Sequence, residues 1–143
     1  MTPIEFWVAG PPKGQPRAKA CRRGKHAGVY DPGTANEWKA RVHEAAKHFI
    51  AEPLAMPLRV DLTFYFPRPK NHYRAGKMAN ELKESAPKFH TGKPDRDNSD
   101  KAVLDQLTVS RMWLDDSQVC DGRIQKLYAD GRGPGAFIRI TEA

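Results

Sequence analysis

Cysteine is scarce in this chain of 143 residues: Cys21 and Cys120 are its only two, 99 positions apart. That is too little for a disulfide framework, and both read as inert thiols. No Cys-x-x-Cys and no Cys/His pair at ligand spacing occurs, which excludes the common zinc modules. No apolar run approaches the roughly 20 residues of a membrane-spanning helix. Met1 to Gly10 lacks the charged start and apolar stretch of a signal peptide, so the expected setting is the cytoplasm, away from membranes. There is no internal repeat and no low-complexity tract. With 39% hydrophobic and 29% charged residues, the composition is that of a folded domain rather than a disordered one, and the length suggests a single domain over residues 1–143.

What the chain has in excess is positive charge, +7 overall. Residues 11–30 carry six bases and no acid: Lys13, Arg17, Lys19, Arg22, Arg23 and Lys25. Residues 68–93 carry seven bases against two acids. Arg68, Lys70, His72, Arg74, Lys88 and Lys93 of that stretch join the first six as candidate DNA contacts, since clustered bases are the electrostatic mark of polyanion binding. Against this background, the stretch Asp95 to Asp121 holds seven acids and three bases. Carboxylates crowded together repel and favour a cation between them.

Periodicity organises the rest. Ile4, Phe6 and Val8 alternate with polar neighbours as a first strand. The basic stretch 11–30, with Gly14, Pro16, Gly24 and Gly28, reads as a loop. Thr34 and Glu37 have capping-box spacing at the start of a helix running to about Glu52. Leu58, Val60, Leu62, Phe64 and Phe66 mark the clearest strand. Residues 67–94 read as a second basic loop, with a turn around Met78 to Lys83. Asp97 or Asn98 caps a second helix with Val103, Leu104 and Leu107 on its apolar face. Val119 to Tyr128 and Phe137 to Thr141 close the chain as strands. The expected fold class is α+β: one domain in the order β-α-β-loop-α-β-β, with two main helices packed against a mixed sheet.

Chemistry concentrates in the acidic stretch. Asp95 and Asp97, two apart in extended chain, are expected to point the same way. Lys101 follows Asp97 by one helical turn, where an ammonium can meet a scissile phosphate or developing negative charge. Asp116 comes from beyond the helix to complete a three-carboxylate pocket, with Asp115 beside it as a further ligand candidate. Oxygen donors of this kind suit magnesium, and a divalent ion can orient a water and steady the leaving oxygen of a phosphodiester. An EF-hand is excluded, because Asp100 stands where its glycine belongs and Gln106 where its glutamate does. Asp105 is expected to pair with Lys101, and Asp100 to support the cap. His43 and His48 read as surface or packing residues, and His72 and His90 as possible phosphate contacts. Trp7 and Trp38 read as core, while Trp113 suits either core or DNA.

Lys93-Pro94-Asp95-x-Asp97-Asn98-x-x-Lys101-Ala102-x-Leu104-Asp105-x-Leu107, followed by Trp113-x-Asp115-Asp116-Ser117-Gln118-Val119, resembles the RusA family of Holliday junction resolvases. The resemblance is most specific across residues 93–128. It implies a small homodimeric endodeoxyribonuclease that cuts four-way DNA junctions with magnesium, manganese serving as a substitute, in a phage-type setting. By position it makes Asp95, Asp97 and Asp116 the catalytic carboxylates and Lys101 the essential lysine. Arg96 and Asp100 stand where apolar or variable residues are expected. A nuclease of broader branched-DNA scope, a junction binder without catalysis and a structural metal-binding module are the rival readings.

Overall fold

Five apolar residues at every second position make the strand Leu58–Phe66 the middle of the molecule: Leu58, Val60, Leu62, Phe64 and Phe66 are all buried. Arg59, Asp61, Thr63 and Tyr65 lie on its other face. A computed structural model describes all residues 1–143. The elements in chain order are β1 (Ile4–Ala9), β2 (Lys19–Arg23), β3 (His26–Tyr30), α1 (Asn36–Ala46), β4 (Leu58–Phe66), α2 (Arg96–Val109), β5 (Val119–Asp121), β6 (Ile124–Tyr128) and β7 (Gly135–Glu142).

The main sheet runs β1-β7-β4, with β5 and β6 in succession along the far edge of β4. β7 is antiparallel to both its neighbours, while β5 and β6 are parallel to β4. This is the expected mixed sheet, and α2 supplies the crossover that a parallel connection requires. Both helices cover one face. Trp38, Val42 and Ala46 of α1 meet Ala102, Val103 and Leu107 of α2 over Phe6, Val8, Ile138 and Ile140, forming one core. Trp113 is part of it and donates its indole N–H to Thr108 Oγ1 at 2.7 Å, so it packs rather than contacts DNA. Trp7, read as core, instead lies on the uncovered sheet face between Tyr65 and the guanidinium of Arg132.

Several boundaries differ from expectation. The basic stretch 11–30 is not all loop: β2 and β3 pair as an antiparallel ribbon around Gly24 and Lys25. Nearly all its residues are exposed, so no apolar alternation announced it. The Thr34 capping box does not form. Ala35 is the N-cap of α1 without a side-chain bond, and the chain enters through a turn in which Asp31 accepts from Gly33 N–H at 2.7 Å. α1 ends at Ala46, followed by one 3₁₀ turn, Lys47–Phe49. Residues 119–128 form two strands, because Gly122 breaks the ladder with φ of 149°. The region 67–94 is irregular, as expected, with short turns at Lys70–His72 and Gly76–Met78.

Candidate active site

The start of α2 decides where the acids stand. Asp95, not Asp97 or Asn98, is the N-cap, in extended backbone, and no side chain caps the helix. Ser99 closes the first turn by giving both its N–H and its hydroxyl to the Asp95 carbonyl, each at 3.0 Å. Asp97 therefore sits inside the first helical turn. The expected pairing of Asp95 and Asp97 in extended chain is replaced by one residue at the cap and one on the helix. Both carboxylates are exposed, at the helix end where partial positive charge favours anions. Lys101 stands one turn further on, exposed, with Nζ 3.5 Å from Asp105, the expected helix-face pair.

Asp116 arrives on a 3₁₀ turn, Asp116–Gln118, that leads into β5. Asp115 caps this turn: its Oδ1 accepts from Ser117 N–H at 2.8 Å, and that bond holds its carboxyl below the usual range. One oxygen of Asp115 is thereby committed to structure. Gln118 pins the turn from inside. Its carbonyl oxygen accepts from the N–H groups of Leu114 and Asp115, and its amide donates to the carbonyls of Leu54 and Met56, all within 2.9–3.0 Å. Sequence reasoning assigned Gln118 no task, because its partners lie up to 64 positions away. Gln118→Ala leaves the Met56 carbonyl and the Asp115 N–H without partners, while the Leu114 N–H and the Leu54 carbonyl keep each other at 3.3 Å, and should lower unfolding stability by about 2 kcal/mol in a denaturant titration. A loss under about 0.5 kcal/mol would show the turn to be held otherwise.

Asp100 joins the two halves. It is half-buried, and burial pushes its carboxyl above the usual range. Arg96 opposes that shift, while the negative charges of Asp105, Asp116 and Asp97 reinforce it. Asp100 and Leu104 line one hollow with Val119, Cys120 and Asp121, so this side of α2 lies beside the strand into which the Asp116 turn leads. Lys126 on β6 is held below its ordinary range by burial, and the charge of Asp95 works against that shift. Lys126 Nζ also donates to the Gly92 carbonyl at 2.7 Å, tying the approach to Asp95 onto the sheet. Neither Asp100 nor Lys126 was marked for these positions, since only the folded crossover brings them in.

No three carboxylate, histidine or cysteine side chains converge closely enough to enclose an ion by themselves. The donors around the end of α2 are all carboxylates, and magnesium commonly keeps several waters while using one or two such groups. The residues present thus fit a hydrated magnesium ion and not a zinc ion, which needs a closed tetrahedral set.

The basic residues divide into two groups. Lys13, Arg17, Lys19, Arg22, Arg23, Lys25, Lys70, Arg74, Lys88 and Lys93 are exposed. Arg68 is not free for DNA: its side chain is 4% exposed and it spans Asp130 (2.9 and 3.2 Å) and the Pro87 carbonyl (2.7 Å). It fastens the long loop to the end of β6. His72 is also drawn inward, 3.3 Å from Arg68 and edge-on to Tyr128. His90, considered a phosphate contact, stacks on Phe66 with centroids 4.0 Å apart, and burial pushes its imidazole pKa down.

The chain is similar over its full length to a protein of Bacillus subtilis (strain 168) named Uncharacterized protein YqaN. The two are 32% identical over 144 residues, covering 100% of each. The family described as Endodeoxyribonuclease RusA matches residues 9–141, from the last residue of β1 into β7, and includes Asp95, Asp97, Asp100 and Asp116. On that match, the chain belongs to the RusA family of endodeoxyribonucleases.

Proposed function

We propose that this protein resolves four-way (Holliday) DNA junctions by magnesium-dependent hydrolysis, making paired symmetric incisions as a homodimer. What supports the reading is Asp95 at the N-cap of α2 and Asp97 in its first turn, with Lys101 one turn on, and Asp116 on the turn entering β5, the strand that lines a hollow with Asp100 of α2. A protein that only held DNA would gain nothing from carboxylates set against phosphate. Membership of an endodeoxyribonuclease family gives that arrangement its chemical meaning.

Asp95, Asp97 and Asp116 would hold the ion, manganese substituting for magnesium. When bound, it supplies a polarised phosphodiester and a water of lowered pKa. Lys101 presents its ammonium to the scissile phosphate and offsets charge gathering on it in the transition state. The N–H groups opening α2 face the same region and favour an anion there. Exposed bases at 13–25 and 70–93 hold the flanking backbone, which makes binding fall steeply with salt. A four-way junction has approximate two-fold symmetry, so two equivalent sites in a C2 dimer would suit two matched cuts.

The test is cleavage of synthetic four-way, three-way and duplex DNA, with magnesium or with chelator, read on denaturing gels. Paired cuts at symmetric positions of the four-way substrate, dependent on magnesium, are expected. Equal cutting of all branched forms would replace this reading with a general branched-DNA nuclease. Salt-sensitive binding without cutting would replace it with a junction-binding role.

A further inference from the structure

The β2–β3 ribbon has two chemically different faces, and they follow from its register. Lys19 lies opposite Tyr30, Cys21 opposite Gly28, and Arg23 opposite His26. Directly paired residues share a face, and so do residues two apart. One face therefore carries Lys19, Arg23, His26 and Tyr30, while the other carries Ala20, Ala27 and Val29 with Arg22. On that second face Arg22 turns back, its Nε donating to the Gly24 carbonyl at 3.3 Å. Tyr30 is 48% exposed and has no aromatic neighbour within the protein.

This ribbon buries almost nothing, and a lone two-stranded hairpin is marginal in water. Its root, however, is fastened beside the acids. Gln15 N–H donates to the Asn98 carbonyl at 2.8 Å, and Gln15 Nε2 donates to Asp31 at 3.1 Å, joining the two feet. At Gly14 the contact is so close that a Cβ would lie 2.6 Å from Pro94 and 3.1 Å from Asn98. Pro94 and Asn98 flank Asp95 and Asp97 in the chain. From Gln15 to Lys19 is at most about 14 Å of backbone. The ribbon is thus a cationic and aromatic arm held at a short, set distance from the candidate cutting residues.

We infer that the face bearing Lys19, Arg23, His26 and Tyr30 reads the branch point of the DNA: Tyr30 stacks on a base unpaired at the crossover, while Lys19 and Arg23 grip the phosphates beside it. The inference rests on the nuclease reading and adds to it a source of structure selectivity. Charge complementarity makes DNA the occupant, and stacking makes branched DNA preferred, because a base inside an intact duplex offers no free face. Two cations without an aromatic would hold duplex equally well.

The experiment uses the full chain, with chelator present so that no strand is cut. A fluorescent base analogue, 2-aminopurine, is placed at the crossover of a four-way junction or at the matching position of a duplex. Wild type should quench the junction probe and prefer junction to duplex. Tyr30→Ala should lose the quenching and at least about tenfold of the preference, with Tyr30→Phe retaining both. Val29→Thr, on the opposite face, should behave as wild type. Hydrogen exchange over residues 19–30 should slow when wild type binds the junction. Unchanged quenching and preference in Tyr30→Ala would overturn the inference, as would an equal loss of junction and duplex affinity. A wild type that neither prefers branched DNA nor cuts it with magnesium would instead overturn the functional reading.

Discussion

Asp97→Asn removes metal-dependent strand cleavage by about 10³-fold or more while leaving junction binding intact or tighter. The side chain stays the same size and keeps one oxygen, so folding is not challenged. What it loses is charge at the first turn of α2, one turn before Lys101. An ion bound by few protein ligands depends heavily on each. The exposed bases proposed to hold the flanking phosphates are elsewhere, on the ribbon and the long loop, and removing a negative charge near DNA weakens no contact with it. Single-turnover cleavage and gel-shift titration on the same preparation separate the two effects. Cleavage within about tenfold of wild type would mean that Asp97 does not hold the ion.

Gly122→Ala is expected to be the most damaging small substitution in the protein. Gly122 has φ of 149°, in a region that L side chains rarely adopt, and a Cβ there would lie 1.9 Å from the Val60 carbonyl oxygen. That neighbour is backbone of the central strand and cannot swing aside. The loss should be on the order of 3–5 kcal/mol, shifting the thermal midpoint down by roughly 10–17 °C in a chain of this size. The break at Gly122 also lets the edge strand leave the β4 ladder after β5 and rejoin it as β6. Arg123 N–H then donates to Asp61 at 2.8 Å, and Arg59 pairs with both Asp61 and Asp121 at 2.9 Å. A midpoint within about 2 °C of wild type would show that the strand can pass this point without a glycine.

Residues whose partners are local were legible in the sequence. β4 announced itself because one face is wholly buried, and β1 because Phe6 and Val8 are buried beside a partly buried Ile4. α2 followed from its apolar spacing, although its first turn was misplaced: capping was assigned to Asp97 or Asn98 when Asp95 holds that position. The β2–β3 ribbon was illegible because a strand exposed on both faces has no hydrophobic period, and its charges and glycines resemble those of a loop. Arg68 looked like a phosphate contact because Asp130, which neutralises it, lies 62 positions away. In the site, the acids could be named from their pattern. The meeting of Asp100 with the β5 edge, and of Lys126 with the Gly92 carbonyl just before Asp95, needed the crossover from β4 through α2 to the edge strands.

The central claim is that acids from the two ends of this crossover hold one divalent cation. Manganese titration followed by electron paramagnetic resonance measures it without DNA and without turnover, since the free aqueous ion gives the signal that binding removes. Wild type should take up manganese saturably, magnesium should compete, and Asp97→Asn and Asp116→Asn should each weaken uptake by at least about tenfold. Uptake by Asp116→Asn equal to that of wild type would contradict the account, because the second half of the site would then have no part in holding the ion.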